Sequence, residues 1–215
     1  DESVPVKIGE EEWRLVSAGS LHTCGIRNDS SLYCWGDNRN GQLGDGTSGI
    51  NMKKTVPEKI GNDSWIDVRS GKGKNENHTC GIRKDSSLYC WGSNDHGQLG
   101  DGTNENSFVP VKIGNEIWLN VTTGSSHTCS ISSENEIFCW GENSSGQLGD
   151  GTKYDSNTMK ESLDGIWSSV FAGTDHTCAV STAKKLYCWG ANGNSQLGDG
   201  TNDDRTEPVF IIDPF

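Results

Sequence analysis

His22–Thr47 reads HTCGIRNDSSLYCWGDNRNGQLGDGT, and the stretch returns at His78–Thr103, His127–Thr152 and His176–Thr201. In the first copy Cys24 and Cys34 stand ten residues apart, with Asn28-Asp29-Ser30 midway between them. Asn, Asp and Ser favour tight turns because they hydrogen-bond their own backbone and tolerate unusual dihedrals. The flanks HTCGIR and SLYCWG are rich in β-branched and aromatic residues and predict the two strands of a hairpin. A turn centred on Asp29 sets Cys24 opposite Cys34 and Ile26 opposite Leu32, and strand alternation puts all four on one face.

The geometry repeats as Cys80/Cys90, Cys129/Cys139 and Cys178/Cys188. Directly opposed strand residues are close enough for a bridge after a slight local twist. Four intra-hairpin disulfides are the economical reading and use all eight cysteines. Free buried thiols are one alternative. A metal is the other, since His22 and Cys24 share a strand face in each copy, but the short CxxC spacings of zinc sites are absent. The recurring histidines otherwise read as structural residues bonded to neighbouring backbone.

The tail of each copy, GQLGDGT, is a turn signal with Asp45-Gly46 as a favoured dipeptide. It lacks the lysine and the following helix of a phosphate-binding loop. Asp45, Asp101, Asp150 and Asp199 recur within that turn and read as turn caps rather than acid–base groups. Asp37 with Asn38 offers oxygen ligands for calcium, yet Ser93, Glu142 and Ala191 hold that position in the other copies, so no such site would repeat. No catalytic residue, no metal ligand set and no cofactor is predicted.

The chain has 215 residues, 31% hydrophobic content, 28 glycines, eight tryptophans and eight cysteines. Aliphatics are sparse, so aromatic burial and disulfides carry the stability. A net charge of −12 without a basic, aromatic-laced patch excludes nucleic acid as a direct partner. No apolar run approaches bilayer-spanning length. With no initiating Met and no leader, the chain reads as a mature or excised piece, and paired cysteines place it in an oxidising, extracellular compartment, as a secreted protein. Five Asn-x-Ser/Thr sequons, at Asn28, Asn62, Asn77, Asn120 and Asn143, are glycosylation candidates, with Asn28 at a hairpin tip the best placed.

Before each core copy lies a second module: Pro5–Gly9 (PVKIG) leads to Trp13, Val16 and Gly19, and counterparts stand at Pro57–Gly61 and Pro110–Gly114. The fourth version, MKESLDG before Trp167, has no proline. Four short strands per unit of about 50 residues predict an all-β chain of β-propeller-type blades, each of four short antiparallel strands. The expected repeats run approximately over 4–47, 56–103, 109–152 and 159–201 within a single array covering 1–215. The first cysteine spacing is 56 residues and the next two are 49; the excess divides between Ser48–Pro57 and Ser70–Cys80. It reads as loop drift, with a binding edge as the alternative. Two tryptophans per unit (Trp13 and Trp35 in the first) are expected in the blade-to-blade core rather than in a sugar-binding ring.

The C-terminus holds one more first strand, predicted at 207–212, so there are four repeats plus one spare strand. Either terminal copy could close a blade, leaving the other as an unpaired edge, a template for pairing with a second chain. Val4, Val6, Ile8, Val209 and Ile211 are therefore strand-exchange candidates. The chain reads as a segment of a longer array or a subunit exchanging strands head to tail.

The pattern W-x-x-V-x-x-G-x-x-H-T-C-x-I, then L-Y-C-W-G-x-N-x-x-G-Q-L-G-D-G-T, resembles the repeat of the regulator of chromosome condensation family, over nearly the whole chain. The resemblance implies propeller blades, here of a secreted, cysteine-paired variety. The founding member exchanges nucleotide on the small GTPase Ran, but it has seven blades, this chain shows no loop long enough to act as an exchange wedge, and no catalytic residue carries over. Ser195 departs from the pattern by replacing the glycine before Gln196, which puts that turn's geometry in question. The expected function is a non-enzymatic extracellular structural scaffold, disulfide-stapled and glycosylated, assembling head to tail into a filament or matrix. Its partners would be other copies of itself or neighbouring repeats of a longer chain, with glycans or proteins further options. A lectin-like or protein-binding propeller is the alternative, and a guanine-nucleotide exchange factor the third.

Overall fold

The computed structural model describes residues 4–73, 77–162 and 165–212. Every regular element among them is a strand. The first sheet contains β1 (Trp13–Ala18), β2 (His22–Arg27), β3 (Leu32–Gly36) and β4 (Lys54–Lys59). The second has β5 (Trp65–Ser70), β6 (His78–Arg83), β7 (Leu88–Gly92) and β8 (Ser107–Ile113). The third has β9 (Trp118–Thr123), β10 (His127–Ser132), β11 (Ile137–Gly141) and β12 (Ser156–Glu161), and the fourth β13 (Trp167–Ala172), β14 (His176–Ser181), β15 (Leu186–Gly190) and β16 (Arg205–Phe210). Each is a four-stranded antiparallel meander in sequence order, which is a propeller blade.

The hairpins form as their residues dictate. Ser30 takes φ +70° and its amide donates to the Arg27 carbonyl, while Asp29 caps the turn by accepting from the Ser31 amide at 2.9 Å. A short turn closed by a left-handed residue matches the twist of the flanking strands. The register sets Cys24 opposite Cys34 and Ile26 opposite Leu32, and all four are fully buried.

The blade boundaries differ from the predicted repeats. The PVKI-type strand does not open a blade; it is the outer strand of the blade before it, so the sheets span 13–59, 65–113, 118–161 and 167–210. The C-terminal copy predicted as spare at 207–212 is accordingly β16, with Val209 opposite Cys188 and the Ile211 amide bonded to the Leu186 carbonyl. The spare copy is the N-terminal one. Val4, Val6 and Ile8 are exposed and outside any sheet. A cyclic pattern has no intrinsic starting point, so strand order alone leaves the phase open. The Ser48–Pro57 insertion lies in the turn before β4 and the start of that strand, and the one at Ser70–Cys80 falls partly outside the described residues.

Three hydrophobic cores fill the spaces between blades. The first joins the Cys24–Cys34 pair, Ile26 and Leu32 of one blade to Trp65, Val68 and Trp91 of the next. The second and third repeat this set around Trp118/Trp140 and Trp167/Trp189. The two indoles of a blade meet edge-on or tilted, 5.7 Å between centroids for Trp65 and Trp91 and 6.4 Å for Trp118 and Trp140, a favoured aromatic geometry. Trp13 and Trp35 make the same pair, but among the described residues no blade packs on their outer face and both are partly exposed. Trp140→Ala should therefore cost about 3–5 kcal/mol of unfolding free energy, and Trp35→Ala less than half of that. Urea denaturation of the two variants checks the difference, and equal losses would contradict the assignment of Trp140 to a core and Trp35 to an open face.

Candidate functional site

The arrangement that recurs at each blade junction starts with an asparagine. Asn38 is fully buried; its side-chain oxygen accepts from the Leu43 amide at 3.1 Å, and its nitrogen donates to Asp45 and to the Thr47 carbonyl, each at 3.1 Å. Asp45 in turn accepts from the Thr47 amide at 2.9 Å. Asn94, Asn143 and Asn192 hold the other three loops in the same way. At Gly44, φ is +77° and a Cβ would stand 2.7 Å from the Trp91 indole nitrogen. A side chain there would fail on both counts.

The loop so held aims the Gln42 carbonyl at the next blade. Trp91 Nε1 donates to it at 3.0 Å and Thr79 Oγ1 at 2.7 Å. Since the Thr79 proton is spent on that carbonyl, His22 Nε2, 2.8 Å from Thr79 Oγ1, is the donor. Gln98 serves Trp140, Thr128 and His78 likewise, and Gln147 serves Trp189, Thr177 and His127. The opposite ring nitrogen, Nδ1, of His22, His78 and His127 is buried without a hydrogen-bond partner. Protonation there would bury an unsatisfied N–H on a cation. Burial accordingly lowers His22 to about 4 and His78 and His127 to about 3, with neighbouring histidine charges adding to the last two.

The predicted site residues separate clearly on this frame. Cys24–Cys34, Cys80–Cys90, Cys129–Cys139 and Cys178–Cys188 are bonded across their hairpins, and no cysteine is free. His22, His78 and His127 bond a side-chain hydroxyl of the next blade rather than backbone. Trp65, Trp91, Trp118, Trp140 and Trp189 are buried in the junctions, not arrayed on a surface. Asp37 is engaged by Gln42 Nε2 at 2.8 Å and by Arg39, and no group of three or more metal-ligating side chains occurs among the described residues. Ser195 keeps the turn of its glycine counterparts by adopting φ +58°.

The sequons divide by exposure. Asn28 and Asn62 are exposed. Asn77 is buried with both amide atoms enclosed, Asn120 lies half-buried within β9, and Asn143 spends its nitrogen on Asp150 and Thr152. A glycan needs an amide nitrogen at the surface, so the folded chain offers only the first two, and of these the Asn28 nitrogen also donates to the exposed Glu12 carboxylate at 2.6 Å. The residues missed from sequence are Gln42, Gln98 and Gln147 with Thr79, Thr128 and Thr177. Their recurrence in every GQL and HTC was visible, but a backbone carbonyl meeting a hydroxyl some 30–40 positions away was not.

The model of the regulator of chromosome condensation (RCC1) repeat matches residues 29–82, 85–131, 134–180 and 185–214. The chain belongs to the RCC1 repeat family. Among RCC1-type relatives, the ultraviolet-B receptor UVR8 of Arabidopsis thaliana is 34% identical over 119 residues, which are 53% of this chain and 26% of the receptor. The E3 ubiquitin-protein ligase HERC2 of Mus musculus is 33% identical over 98 residues, 46% of this chain and 2% of the ligase. Prp20p of Saccharomyces cerevisiae, a structure described together with its binding to Gsp1p and histones, superposes with a TM-score of 0.83 at 20% identity over 97% of this chain and 52% of its own. The RCC1 repeats here thus span about half or less of the relatives they match.

The histidines give this junction a pH signature. Their folded pKa values lie below the unfolded value near 6.5, so the unfolded chain binds more protons as pH falls and stability is lost between about pH 6.5 and 4. Asp67 and Asp175, raised by burial, run the other way, but only within the carboxylate range. Lowering pH from 7 to 5 should cost roughly 2 kcal/mol per buried histidine. Thermal melts at the two pH values measure this; an unchanged Tm would contradict three neutral histidines in the fold.

Proposed function

We propose that these RCC1 repeats form a non-enzymatic extracellular scaffold module whose open ends join it to further blades. One observation carries this reading: all eight cysteines are paired within the β2–β3 hairpin of each blade and its equivalents. Disulfides of this kind persist where the surroundings are oxidising. The polar groups of the junctions support the same view, because they are consumed in holding blades together. Among the described residues no helix is long and apolar enough to cross a bilayer. Glycans would sit at Asn28 and Asn62, the two sequon asparagines that are exposed.

Strand exchange is one route to assembly. Val4, Val6 and Ile8 lie in a copy of the motif that β16 carries at Pro208–Ile211, and would compete for the same edge of β15 in a neighbouring molecule. As a lectin-like propeller the chain would need exposed aromatics, whereas the recurrent tryptophans of the inner blades are buried. As an exchange factor it would work in the cytosol or nucleus, with reduced thiols.

Peptide mapping without reduction, on protein from its native source, tests the reading. Four linked cysteine peptides with hexose-bearing Asn28 or Asn62 peptides are expected. Eight free thiols and bare asparagines would overturn it in favour of the intracellular exchange factor. In parallel, the double variant Cys80→Ala/Cys90→Ala should lose about 2–3 kcal/mol in urea unfolding, the chain-entropy contribution of a loop of this length.

A further inference from the structure

We infer that the outer groove between the first and second blades receives a methionine side chain presented by a basic segment of a partner protein. This goes beyond the scaffold reading and does not depend on it: both blades that form the groove lie within the chain. The groove is an open cavity of about 360 Å³ between the end of β4 and the outer strand β8. Cavities of that order hold small ligands or inserted side chains. Its lining includes the buried Ile60 and Trp65, Val109 and Pro110 of β8, and the charged Asp45 and Arg83.

The second junction shows the same place filled. Ser107 of β8 and Ser156 of β12 each stand opposite the closing glycine of the neighbouring strand, so Met159 holds the position of Pro110. Met159 is half-buried and packs against the second core. Its Cε lies 2.7 Å from where a Cβ on Gly114 would stand. Gly61 is the counterpart of Gly114 and has the same backbone, φ +61° against +62°. Around the corresponding point at Gly61, the Asp63 carboxylate at 3.7 Å is the one group within 4 Å among the described residues. Pro110 does not reach there, and a piece of apolar filling the size of a methionine side chain is missing from the first junction. At the third junction Pro208 holds this position, and linking residues 163–164 fall outside the described residues.

The charges around the groove are already matched. The Arg83 guanidinium pairs with Asp63 at 2.6 Å and rests on the Tyr89 ring, 3.7 Å from its centroid. The Lys54 ammonium lies 3.3 Å from Asp45 Oδ2. A charged group entering the slot would lose its hydration and find no free counter-charge. An unbranched thioether carries no charge, follows an irregular slot through three rotatable bonds, and has a polarizable sulfur suited to the Trp65 ring. The flanks of the segment are selected at longer range. A chain of net charge −12 attracts a basic segment and repels an acidic one. The chain holds its own example of such a ligand, since Lys160 follows Met159.

NMR titration of the isotope-labelled whole chain with the peptide acetyl-Ser-Asn-Thr-Met-Lys-amide, a copy of 156–160, tests this. Saturable shifts are expected at the Gly61 amide and the Trp65 indole N–H. Norleucine in place of the peptide's methionine should leave the affinity nearly unchanged, because volume and shape are conserved. Alanine there should weaken binding by about tenfold or more, the worth of two buried methylene-sized groups. Glutamate in place of the peptide's lysine should weaken it as well. Pro110→Met fills the slot from within and should abolish the shifts while leaving Tm unchanged or higher. Absence of saturable shifts at the groove, an alanine peptide that binds as well as the methionine one, or binding that survives in a folded Pro110→Met chain would each overturn the proposal. Should Pro110→Met not fold, the alanine and norleucine peptides on the wild type decide alone.

Discussion

The Gln42 carbonyl, with its equivalents Gln98 and Gln147, is the point on which the array depends. It belongs to one blade's loop and receives an indole N–H and a threonine hydroxyl from the next. A carbonyl has two lone pairs, and here both are satisfied inside a junction without water access. The threonine then accepts from a histidine of the first blade, so three hydrogen bonds cross the junction, two donated by the second blade and one by the first. The hydrophobic contacts around them are non-directional. The polar cluster is what sets the angle and register at which blade follows blade.

Much of this architecture is legible in the chain itself. Ten-residue cysteine spacing around Asn28-Asp29-Ser30 contains the hairpin, its register and the bond across it, because strand alternation admits one face for Cys24, Ile26, Leu32 and Cys34. The tryptophans are legible as core for a similar reason: two bulky aromatics recurring at fixed phase need a surface to meet. The phase of the blades is not legible, since Pro5–Ile8 and Pro208–Ile211 carry the same motif and only hydrogen-bond partners tell which is paired. Nor is the His22–Thr79 contact, which joins residues 57 positions apart in chain order. Asn143 shows the opposite hazard. It fits a glycosylation pattern, yet it aligns with Asn38, Asn94 and Asn192, and its amide is spent inside a turn.

Stability in such a chain is close to one-dimensional, each core linking a blade only to its neighbours. The inner strands add cross-links near the axis: the Ser70 amide donates to Ser17 Oγ at 2.8 Å, and the Lys72 ammonium reaches from the second blade to the Ala172 carbonyl of the fourth. Sparse aliphatic content is offset by large indoles and by covalent closure of each hairpin. The fourth version of the linking module, where Ser162 replaces the isoleucine of Ile60 and Ile113, keeps its place by bonding the Leu148 carbonyl at 2.9 Å. A polar residue is tolerated in that core because its hydroxyl is satisfied.

Each disulfide sits on the face its blade turns toward the next, so the following blade is its lid. Cys24–Cys34, Cys80–Cys90 and Cys129–Cys139 are sealed at zero exposure, while Cys178 is partly open. Thiol–disulfide exchange requires an in-line approach of a thiolate to sulfur. A reductant therefore reaches a bridge only where the blade that covers it moves aside or is missing. The staples are guarded in series: each becomes reducible only once the blade covering it has opened, so the redox resistance of a hairpin belongs to its neighbour rather than to the hairpin itself.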